Sequence, residues 1–316
     1  MAQDTGVVPE PAFSREHPRK IVFQTDWFPQ GEHGGFYQAL AKGFYAEAGL
    51  DVTLLPGGPG AGITLKVARG DADIGMHRSD AIIVAAVEQG LPLLMVGAVT
   101  QHDYESLMVH AESSVRTFAD LNGRTLIGSP GQIWMQFLQK KLGLQFNLIP
   151  ATGGLGAFLA NPEAIQQCVY TNEPFLARQH GAKVRVLPLA TAGYDVYTVF
   201  FCRRDFAQGN PAALRAFIAA SLRGWRDFIE GDPSPAFAEI LRRNPNISRE
   251  LLAFSRDEMI RHQVTTGDPQ HGEAMGQLSR TRVRDQIATL VELKILAVPV
   301  APGQVASWDY LPPEAK

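Results

Sequence analysis

The 316-residue sequence has few cysteines, no long hydrophobic run and no excess of positive charge. Cys168 and Cys202 are its only cysteines, too few for a disulfide framework or a close metal-binding pair. We expect two separate buried thiols, with a single bridge between them as the alternative. No apolar stretch approaches the roughly 20 residues that a membrane-spanning helix needs. The formal net charge of -3 lacks the basic surplus typical of nucleic-acid-binding proteins.

The N-terminus also lacks the marks of a secretory signal. Residues 1–4 have neither a basic start nor an apolar core. Residues 1–19 are polar and contain several prolines, as in the flexible leader of a mature secreted protein whose signal was replaced by Met1. We therefore expect a secreted protein whose signal peptide is absent from this chain.

What the sequence does contain is enough apolar material for a full core, at 45% hydrophobic residues. The length suits two domains of ordinary size. Strand-like and helix-like segments alternate three times between residues 20 and 100, which indicates a parallel α/β lobe. A second α/β set begins at Thr125, and the pattern becomes helix after helix from Asn210 onward.

The stretch from Ile21 to Gly58 reads as a strand, a polar and aromatic turn, a helix and a second strand. Phe36, Leu40 and Phe44 recur every four residues, which predicts one continuous helix with an apolar face. The loop at residues 27–35 then lies at the carboxyl edge of a parallel sheet, where open α/β sheets bind ligands.

Candidate ligand contacts follow the first two strands. Trp27 and Phe28 form an aromatic wall suited to a flat heterocycle, since stacking contributes about 0.5–1.5 kcal/mol beyond burial; packing beneath the loop is the alternative. His33 is either a hydrogen-bonding imidazole or a residue at a surface helix start. Gly58 belongs to a glycine-rich turn whose N–H groups face a ligand, often an anion. Glu32 is expected to be solvated.

Three polar residues, His77, Arg78 and Ser79, follow the next strand and should reach the same edge. His77 is the preferred ligand contact of the three. Arg78 either pairs with an anionic substrate or forms an ion pair at the surface or between lobes. Ser79 either bonds a ligand or caps the following helix.

In the second α/β set, Ser129, Gly131 and Gln132 precede a helix whose amino terminus suits a carboxylate, phosphate or sulfonate. The segment resembles the nucleophile elbow of serine hydrolases only superficially, because Ile127 stands where its first glycine must be. A serine hydrolase is therefore disfavoured.

The second set also provides Asn172, Glu173, Tyr194 and Asp195 as candidates. A carboxylate at a cleft edge binds a protonated amine or aminopyrimidine with bonds of roughly 1.5–3 kcal/mol. The alternative is a helix start, with Asn172 as cap and Glu173 in the first turn. Tyr194 and Asp195 supply either an opposing wall and acceptor or packing at a hinge.

A metal site is the less favoured alternative for His33, His77, His102 and Asp103. No spacing such as His-x-x-x-His supports it. We predict neither a metal nor a cofactor.

The order of these motifs resembles type II periplasmic solute-binding proteins of ABC importers. The similar branch contains thiamine-pyrimidine precursor binders, alkanesulfonate and taurine binders, and thiamine-pyrimidine synthases. The resemblance covers about residues 20–295. It is carried by WFPQGEHGGFYQALAKGFYAEAGLDV (27–52), GDADIGMHRSDAII (70–83), DLNGRTLIGSPG (120–131) and YTNEPFLARQHG (170–181).

The resemblance implies an α/β fold of two lobes, each a mixed, mostly parallel sheet flanked by helices, joined by two crossing strands. The crossings fall near residues 103–110 and 196–203. After the leader at 1–19, lobe 1 would contain 20–106 plus 197–316, including the C-terminal helices, and lobe 2 would contain 107–196.

The function implied is capture of a small solute by closure of the lobes, without catalysis. The preferred ligand is a planar nitrogen heterocycle such as a thiamine-type pyrimidine or a related vitamin precursor. The alternative ligand is a small anion such as an organosulfonate or a nitrate-like solute. The expected partners are a membrane permease and its ATPase, with no nucleic acid, and the protein is expected to be a monomer.

The synthases of this branch provide the enzyme alternative. They hold pyridoxal phosphate through a lysine just after the Asp-Ile-Gly strand, consume a histidine one helical turn later and use a cysteine-rich run. In this sequence His77, Ala81 and the segment 193–197 stand at those three places. A Schiff base needs an amine, so we predict no such enzyme.

Overall fold

The structure is a computed structural model that describes residues 12–151 and 153–315, apart from the side chain of Glu314. Most of the predicted leader, residues 1–11, lies outside the described residues. Its last residue, Arg19, already belongs to the first strand. Phe13 packs against the core, so the described end of the leader is attached to the body of the protein.

The described residues form two five-stranded sheets. Their strands are β1 (Arg19–Gln24), β2 (Leu50–Leu55), β3 (Ile74–His77), β4 (Leu93–Thr100), β5 (Glu105–His110), β6 (Thr125–Gly128), β7 (Asn147–Pro150), β8 (Ile165–Val169), β9 (Val184–Pro188) and β10 (Thr198–Arg203). The strand orders are β2-β1-β3-β10-β4 and β7-β6-β8-β5-β9.

Helices cover both sheets and form the C-terminal part of the chain. They are α1 (Gly34–Ala41), α2 (Phe44–Glu47), α3 (Ile63–Arg69), α4 (Asp80–Glu88), α5 (Ile133–Gln136), α6 (Gly156–Ala160), α7 (Glu173–Gln179), α8 (Arg204–Gly209), α9 (Pro211–Glu230), α10 (Ser234–Arg243), α11 (Arg249–Arg261), α12 (Arg280–Glu292) and α13 (Pro302–Val305). A π-helical turn, Phe137–Lys141, continues α5.

The topology confirms a two-lobed α/β fold with two crossings. In the first sheet β1 pairs in parallel with β2 and β3, while β10 enters antiparallel between β3 and β4. In the second sheet β5 lies antiparallel between β8 and β9. The chain therefore leaves the first sheet between Thr100 and Glu105 and returns between Pro188 and Thr198. The residue limits of the lobes stay a prediction.

The opening helix is not continuous, which corrects the expectation from Phe36, Leu40 and Phe44. Helix α1 ends at Ala41, and Gly43 has a φ of 73° before α2 begins. A residue in this left-handed conformation interrupts an α-helix. Phe36 and Phe44 remain buried on either side of the break, so the apolar spacing still marks the core-facing side.

Helix α1 is held against α9 by close backbone contact. A Cβ placed on Gly224 would lie 2.2 Å from the carbonyl oxygen of Gly35 and 2.6 Å from the Cβ of Ala39. A Cβ on Gly35 would lie 2.2 Å from the Trp225 ring. Only glycine permits this approach, and the helix it fixes follows directly after His33.

The C-terminal segment folds back onto the first sheet. Ala306 forms a bridge with Met95, and the Trp308 indole donates to the Leu278 carbonyl oxygen. Cys168 and Cys202 are both buried and free, and they lie in different sheets. Within the described ranges, no helix is both long enough and apolar enough to cross a membrane.

Replacing Gly224 with alanine should destabilise the protein by about 2 kcal/mol or more, because the added methyl meets backbone that cannot move aside. Gly209→Ala in α8 is the matched control, since a Cβ there meets nothing within 4 Å. That control should be neutral or stabilising through helix propensity. Urea unfolding measures both; equal stability of the two variants would contradict the α1–α9 contact.

Candidate ligand-binding site

The loop after β1 presents two exposed aromatic rings. Trp27 is 42% and Phe28 49% exposed, and their ring centroids lie 5.7 Å apart in an edge-to-face arrangement. The loop after β2 is tied to them, because the Gly57 N–H donates to the Trp27 carbonyl oxygen over 3.0 Å. A Cβ on Gly58 would lie 3.1 Å from the Phe28 ring. The structure thus brings Trp27, Phe28 and Gly58 together as one surface.

Directly before this surface, Asp26 is bonded to His33. The Nε2 of His33 lies 2.8 Å from the Asp26 carboxylate, and the His33 side chain is fully buried. Burial raises the pKa of Asp26, but the bond to His33 and the positive charges nearby outweigh it and hold that pKa below its usual range. The Nδ1 of His33 is buried without a hydrogen-bond partner among the described residues.

His77 lies at the end of β3, with Nδ1 accepting a hydrogen bond from the Ser79 N–H over 3.1 Å. Burial lowers the pKa of His77, so the ring is neutral at neutral pH. With Nδ1 as an acceptor, the proton of the neutral ring is on Nε2. His77 is therefore a hydrogen-bond donor at this sheet edge.

Ser79 occupies the N-cap position of α4, but in the part of the chain described here its side chain makes no capping bond. Its hydroxyl also lacks a well-formed hydrogen bond there. The Tyr194 phenol comes close enough to interact with it weakly. The capping explanation for Ser79 is therefore weaker than its position suggests.

Arg78 is engaged by a carboxylate of the second sheet. Its guanidinium lies 2.8 Å from one Glu105 oxygen and over the Tyr104 ring. The other Glu105 oxygen accepts from the side-chain Nε2 of Gln167, and the side-chain Oε1 of Gln167 accepts from the Ser129 N–H over 2.7 Å. This relay connects the polar end of β3 with the start of the predicted anion site.

The helix after Ser129 is short: α5 has four residues before its π-helical turn. Gly131 is exposed with a φ of 79°, and Gln132 is half-buried at the N-cap. Since the Ser129 N–H is already bonded to Gln167, fewer donors face a ligand here than the sequence suggested. An anion site at this helix start stays a prediction.

Asn172 and Glu173 begin α7. One Glu173 oxygen accepts from the Val169 N–H over 2.8 Å, and burial raises the pKa of Glu173 to about 7. Asn172 is at the N-cap, where its Oδ1 is buried without a partner among the described residues. Glu173 thus has a structural bond, and Asn172 retains an unused acceptor.

Tyr194 and Asp195 lie on the returning crossing and have separate roles. Tyr194 is buried against Phe137, with centroids 5.4 Å apart. The Asp195 carboxylate is bonded to His102 and to the Asp103 N–H on the other crossing, each over 2.8 Å. Asp195 is therefore occupied within the hinge, whereas Tyr194 lies beside Ser79.

Four residues that sequence reasoning missed join the predicted ones: Asp26, Glu32, Tyr104 and Glu105. Glu32 was expected to be solvated, which is wrong: it is 1% exposed and accepts a hydrogen bond from the Thr171 hydroxyl, between the two halves of the protein. Burial raises the pKa of Glu32. Of the four, only Asp26 had a sequence signal, as a charged residue directly after a buried strand.

Two surface cavities occur elsewhere. One of about 480 Å³ is lined by Gly123, Gln139, Leu144, Gln145, Phe146 and Asn147. The other, about 220 Å³, is lined by Tyr170, Pro174, Arg178, Val184, Val186, Pro188, Phe254, Glu258, Arg261 and His262. The candidate site is instead formed by polar and aromatic side chains at the edges of the two sheets, and the Arg78–Glu105 ion pair connects one edge with the other.

The described residues contain no cluster of three or more side chains able to hold a metal ion. Pyridoxal phosphate, the cofactor of the synthase branch, also does not fit at the position predicted for its lysine. His77 is an imidazole there, bonded to the Ser79 N–H, and it cannot form an imine.

Two mixed sheets with two crossings, and polar groups gathered between them, define a type II periplasmic-binding-protein fold. The alkanesulfonate-binding protein SsuA from Xanthomonas axonopodis pv. citri, solved with MOPS bound, has this fold. It superposes with a TM-score of 0.68 at 16% identity, covering 94% of this chain and 100% of that one.

At the level of sequence, the profile described as NMT1/THI5 like matches residues 30–236, so the chain belongs to that family. A formylaminopyrimidine-binding protein of Halalkalibacterium halodurans is 25% identical over 252 residues, covering 76% of this chain and 75% of the relative. The Saccharomyces cerevisiae 4-amino-5-hydroxymethyl-2-methylpyrimidine phosphate synthase THI11 is 23% identical over 253 residues, covering 73% of each.

Glu173→Gln should stabilise the protein relative to wild type at pH 8 but not at pH 4.5. A carboxyl whose folded pKa is raised binds its proton more tightly when folded, so stability falls as pH rises from about 4.5 to about 7. The amide keeps the acceptor for the Val169 N–H without the charge. The gain is at most about 3 kcal/mol, because each tenfold change in proton affinity on folding corresponds to about 1.36 kcal/mol. Urea unfolding at both pH values measures it; a pH-independent difference would contradict the buried carboxyl.

Proposed function

We propose that this protein is the extracytoplasmic substrate-binding component of an ABC importer. It captures a small planar nitrogen heterocycle, a thiamine-type pyrimidine or a related vitamin precursor, by closing its two lobes. In this proposal the lobes are 20–106 plus 197–316 and 107–196. The protein is a periplasmic monomer that docks on a membrane permease with its ATPase, and it performs no catalysis.

The observation that carries this proposal is the exposed Trp27–Phe28 pair at the carboxyl end of β1. Large aromatic side chains supply much of the binding energy of ligand sites, and stacking on a flat ring adds about 0.5–1.5 kcal/mol to the burial of area. Gly58 beside them leaves the Phe28 ring uncovered by a side chain. A flat heterocycle matches this surface better than a compact anion does.

The polar groups beside the aromatic pair suit an aminopyrimidine. Such a ring has an exocyclic amine that donates and ring nitrogens that accept. Asp26 provides an ionised acceptor, and neutral His77 provides an N–H donor. Asn172 adds a buried acceptor oxygen. The relative in Halalkalibacterium halodurans, named for binding a formylaminopyrimidine, supports the same ligand class.

The charge around the site weighs against the anion alternative. Arg78, its main cation, is already paired with Glu105 at 2.8 Å. Asp26, Glu32 and Glu173 add further carboxyl groups near this pair. An organosulfonate or nitrate-like solute would therefore meet the ionised Asp26 carboxylate while Arg78 is already neutralised by Glu105, at a cost that grows as water is excluded. A neutral or amine-bearing ring avoids that cost.

The yeast relatives named as synthases support the enzyme alternative, at 23% identity. His77 and Ala81 stand where the chemistry of the resembling synthases needs lysine and histidine. Lys66, on the neighbouring α3, bonds the Gln24 side chain instead. A binding protein needs none of these groups, and we therefore favour it.

Trp27→Ala should raise the dissociation constant for 4-amino-5-hydroxymethyl-2-methylpyrimidine at least about tenfold, since it removes a stacking partner and its buried area. Ile149→Ala is the control, because Ile149 is a 53% exposed apolar side chain on the edge strand of the second sheet. Titration calorimetry with the pyrimidine, its formylamino analogue and an alkanesulfonate measures the affinities. Heat from the sulfonate alone, unchanged in Trp27→Ala, would favour the anion alternative.

Incubation with pyridoxal phosphate should leave no aldimine absorbance that resists gel filtration, because His77 cannot form a Schiff base. Borohydride reduction followed by mass spectrometry checks for a covalent adduct. A stoichiometric adduct on one lysine would revive the enzyme alternative. The small molecule released on denaturing freshly purified protein, identified by mass spectrometry, tests the ligand class directly.

A further inference from the structure

A charged cluster connects the two crossings. His102, on the outgoing crossing, lies between two carboxylates: Nδ1 is 2.8 Å from Asp195 and Nε2 is 2.9 Å from Glu273. Asp195 belongs to the returning crossing, and Glu273 to the segment before α12. One imidazole ring therefore joins three parts of the chain.

These distances determine the protonation state of the ring. A neutral imidazole carries one N–H, so its other nitrogen presents a lone pair. A lone pair 2.9 Å from a carboxylate oxygen is repelled by it, whereas a second N–H is attracted. Both approaches are favourable at once only when His102 is the doubly protonated imidazolium.

The charges balance only in that state. Arg282, on α12, lies 3.4 Å from Glu273 and 3.8 Å from Asp195. Two carboxylates then face two cations, His102 and Arg282, and loss of the His102 proton leaves one negative charge in excess. The bond to Asp195 is the main cause of a raised pKa for His102, with both carboxylate charges adding to it.

The cluster adjoins the candidate site through sequence neighbours. Asp195 follows Tyr194, and His102 precedes Tyr104 by two residues. Asp195 also accepts from the Asp103 N–H, so its carboxylate fixes the backbone of the outgoing crossing. Movement of the cluster would displace the Tyr104 and Tyr194 rings.

We propose that His102 is a positioning residue, an imidazolium that fastens the two crossings to each other and to the C-terminal part, so that the hinge loosens as pH rises. The expected effect of His102 on ligand affinity rests on the proposed function, because Tyr104 and Tyr194 border the candidate site. The role of His102 in holding the crossings together does not rest on the proposed function.

The sign of the effect follows from linkage. A histidine with a raised folded pKa adds stability that is complete below its unfolded pKa of about 6.5 and is lost as pH rises through the folded value. Three other carboxyl groups face the cluster. Asp268 lies near His102, Asp80 faces Arg282, and burial together with the charge of Glu105 raises the pKa of Asp103. Because Asp103 and Asp80 also have raised pKa values, differences between variants, not the wild-type profile, report on His102.

The first test is the titration of the ring in the wild-type protein by long-range ¹H–¹⁵N correlation spectra, with His102→Gln assigning the signal. We expect both ring nitrogens to be protonated at pH 7 and the midpoint to lie above about 6.5. A neutral tautomer at pH 6.5 would overturn the proposal. Here the wild-type protein gives the answer, and the variant serves only for assignment.

The second test is thermal stability at pH 6 and pH 9. Wild type should exceed His102→Gln by about 2–4 °C or more at pH 6, and the difference should shrink at pH 9. Glu273→Gln should show the same trend against wild type, since an amide satisfies a neutral ring. His110→Gln is the control: His110 bonds one carbonyl oxygen, of Phe158, which a neutral ring satisfies. A difference for His102→Gln that is the same at both pH values would overturn the proposal.

The third test uses 4-amino-5-hydroxymethyl-2-methylpyrimidine as the probe. Wild-type affinity should fall at least threefold from pH 6 to pH 9, and the affinity of Glu273→Gln should change less. Equal pH dependence in the two proteins would overturn the link to the site. Absence of binding at both pH values would count against the proposed ligand, and the first two tests would then decide the fastening.

Discussion

The carboxylate of Asp195 bonds the two crossings that connect the described sheets, and the candidate site lies beside those crossings. Two crossings are the only links along the backbone between the described sheets, and Asp195 on one bonds both the His102 ring and the Asp103 N–H on the other. Arg282 joins the same two crossings, because its guanidinium donates to the carbonyl oxygens of Gln101 and Asp195. The crossings are therefore held to each other by the side chains of both residues.

The crossings bring polar side chains of the two sheets together at the sheet edges, and the charges of these side chains bear on which ligands bind there. Arg78 is neutralised by Glu105, so the edge has more acceptors than cations. Burial raises the pKa of Glu173 to about 7, which reduces the negative charge on this carboxyl group near neutral pH. These charges support the proposal of a neutral or amine-bearing ligand. This expectation depends on the ion pair between Arg78 beside the first sheet and Glu105 of the second sheet, so it cannot be read from one loop alone.

The sequence predicted the alternation of strands and helices along the chain well, because short apolar runs bounded by glycine and proline have few alternative structures. The predictions from sequence were wrong where contacts between distant parts of the chain determine the conformation or the burial of a residue. The spacing of Phe36 and Phe44 suits one helix, yet Gly43 takes a left-handed conformation between them. Glu32 looked solvated because its partner, Thr171, lies 139 residues away. For Asp195 the sequence left a ligand acceptor and hinge packing both open, because its partners His102 and Asp103 lie on another crossing.

Relatives of this chain have different named functions, although they are similar to it over most of its length. Relatives named as synthases and a relative named as a binding protein share the chain's pattern at 23–25% identity. Packing such as the contact of Gly224 with Gly35 fixes the helix after the β1 loop, whatever residues that loop presents. In this chain the end of β3 carries His77, a neutral imidazole that donates a hydrogen bond and cannot form an imine.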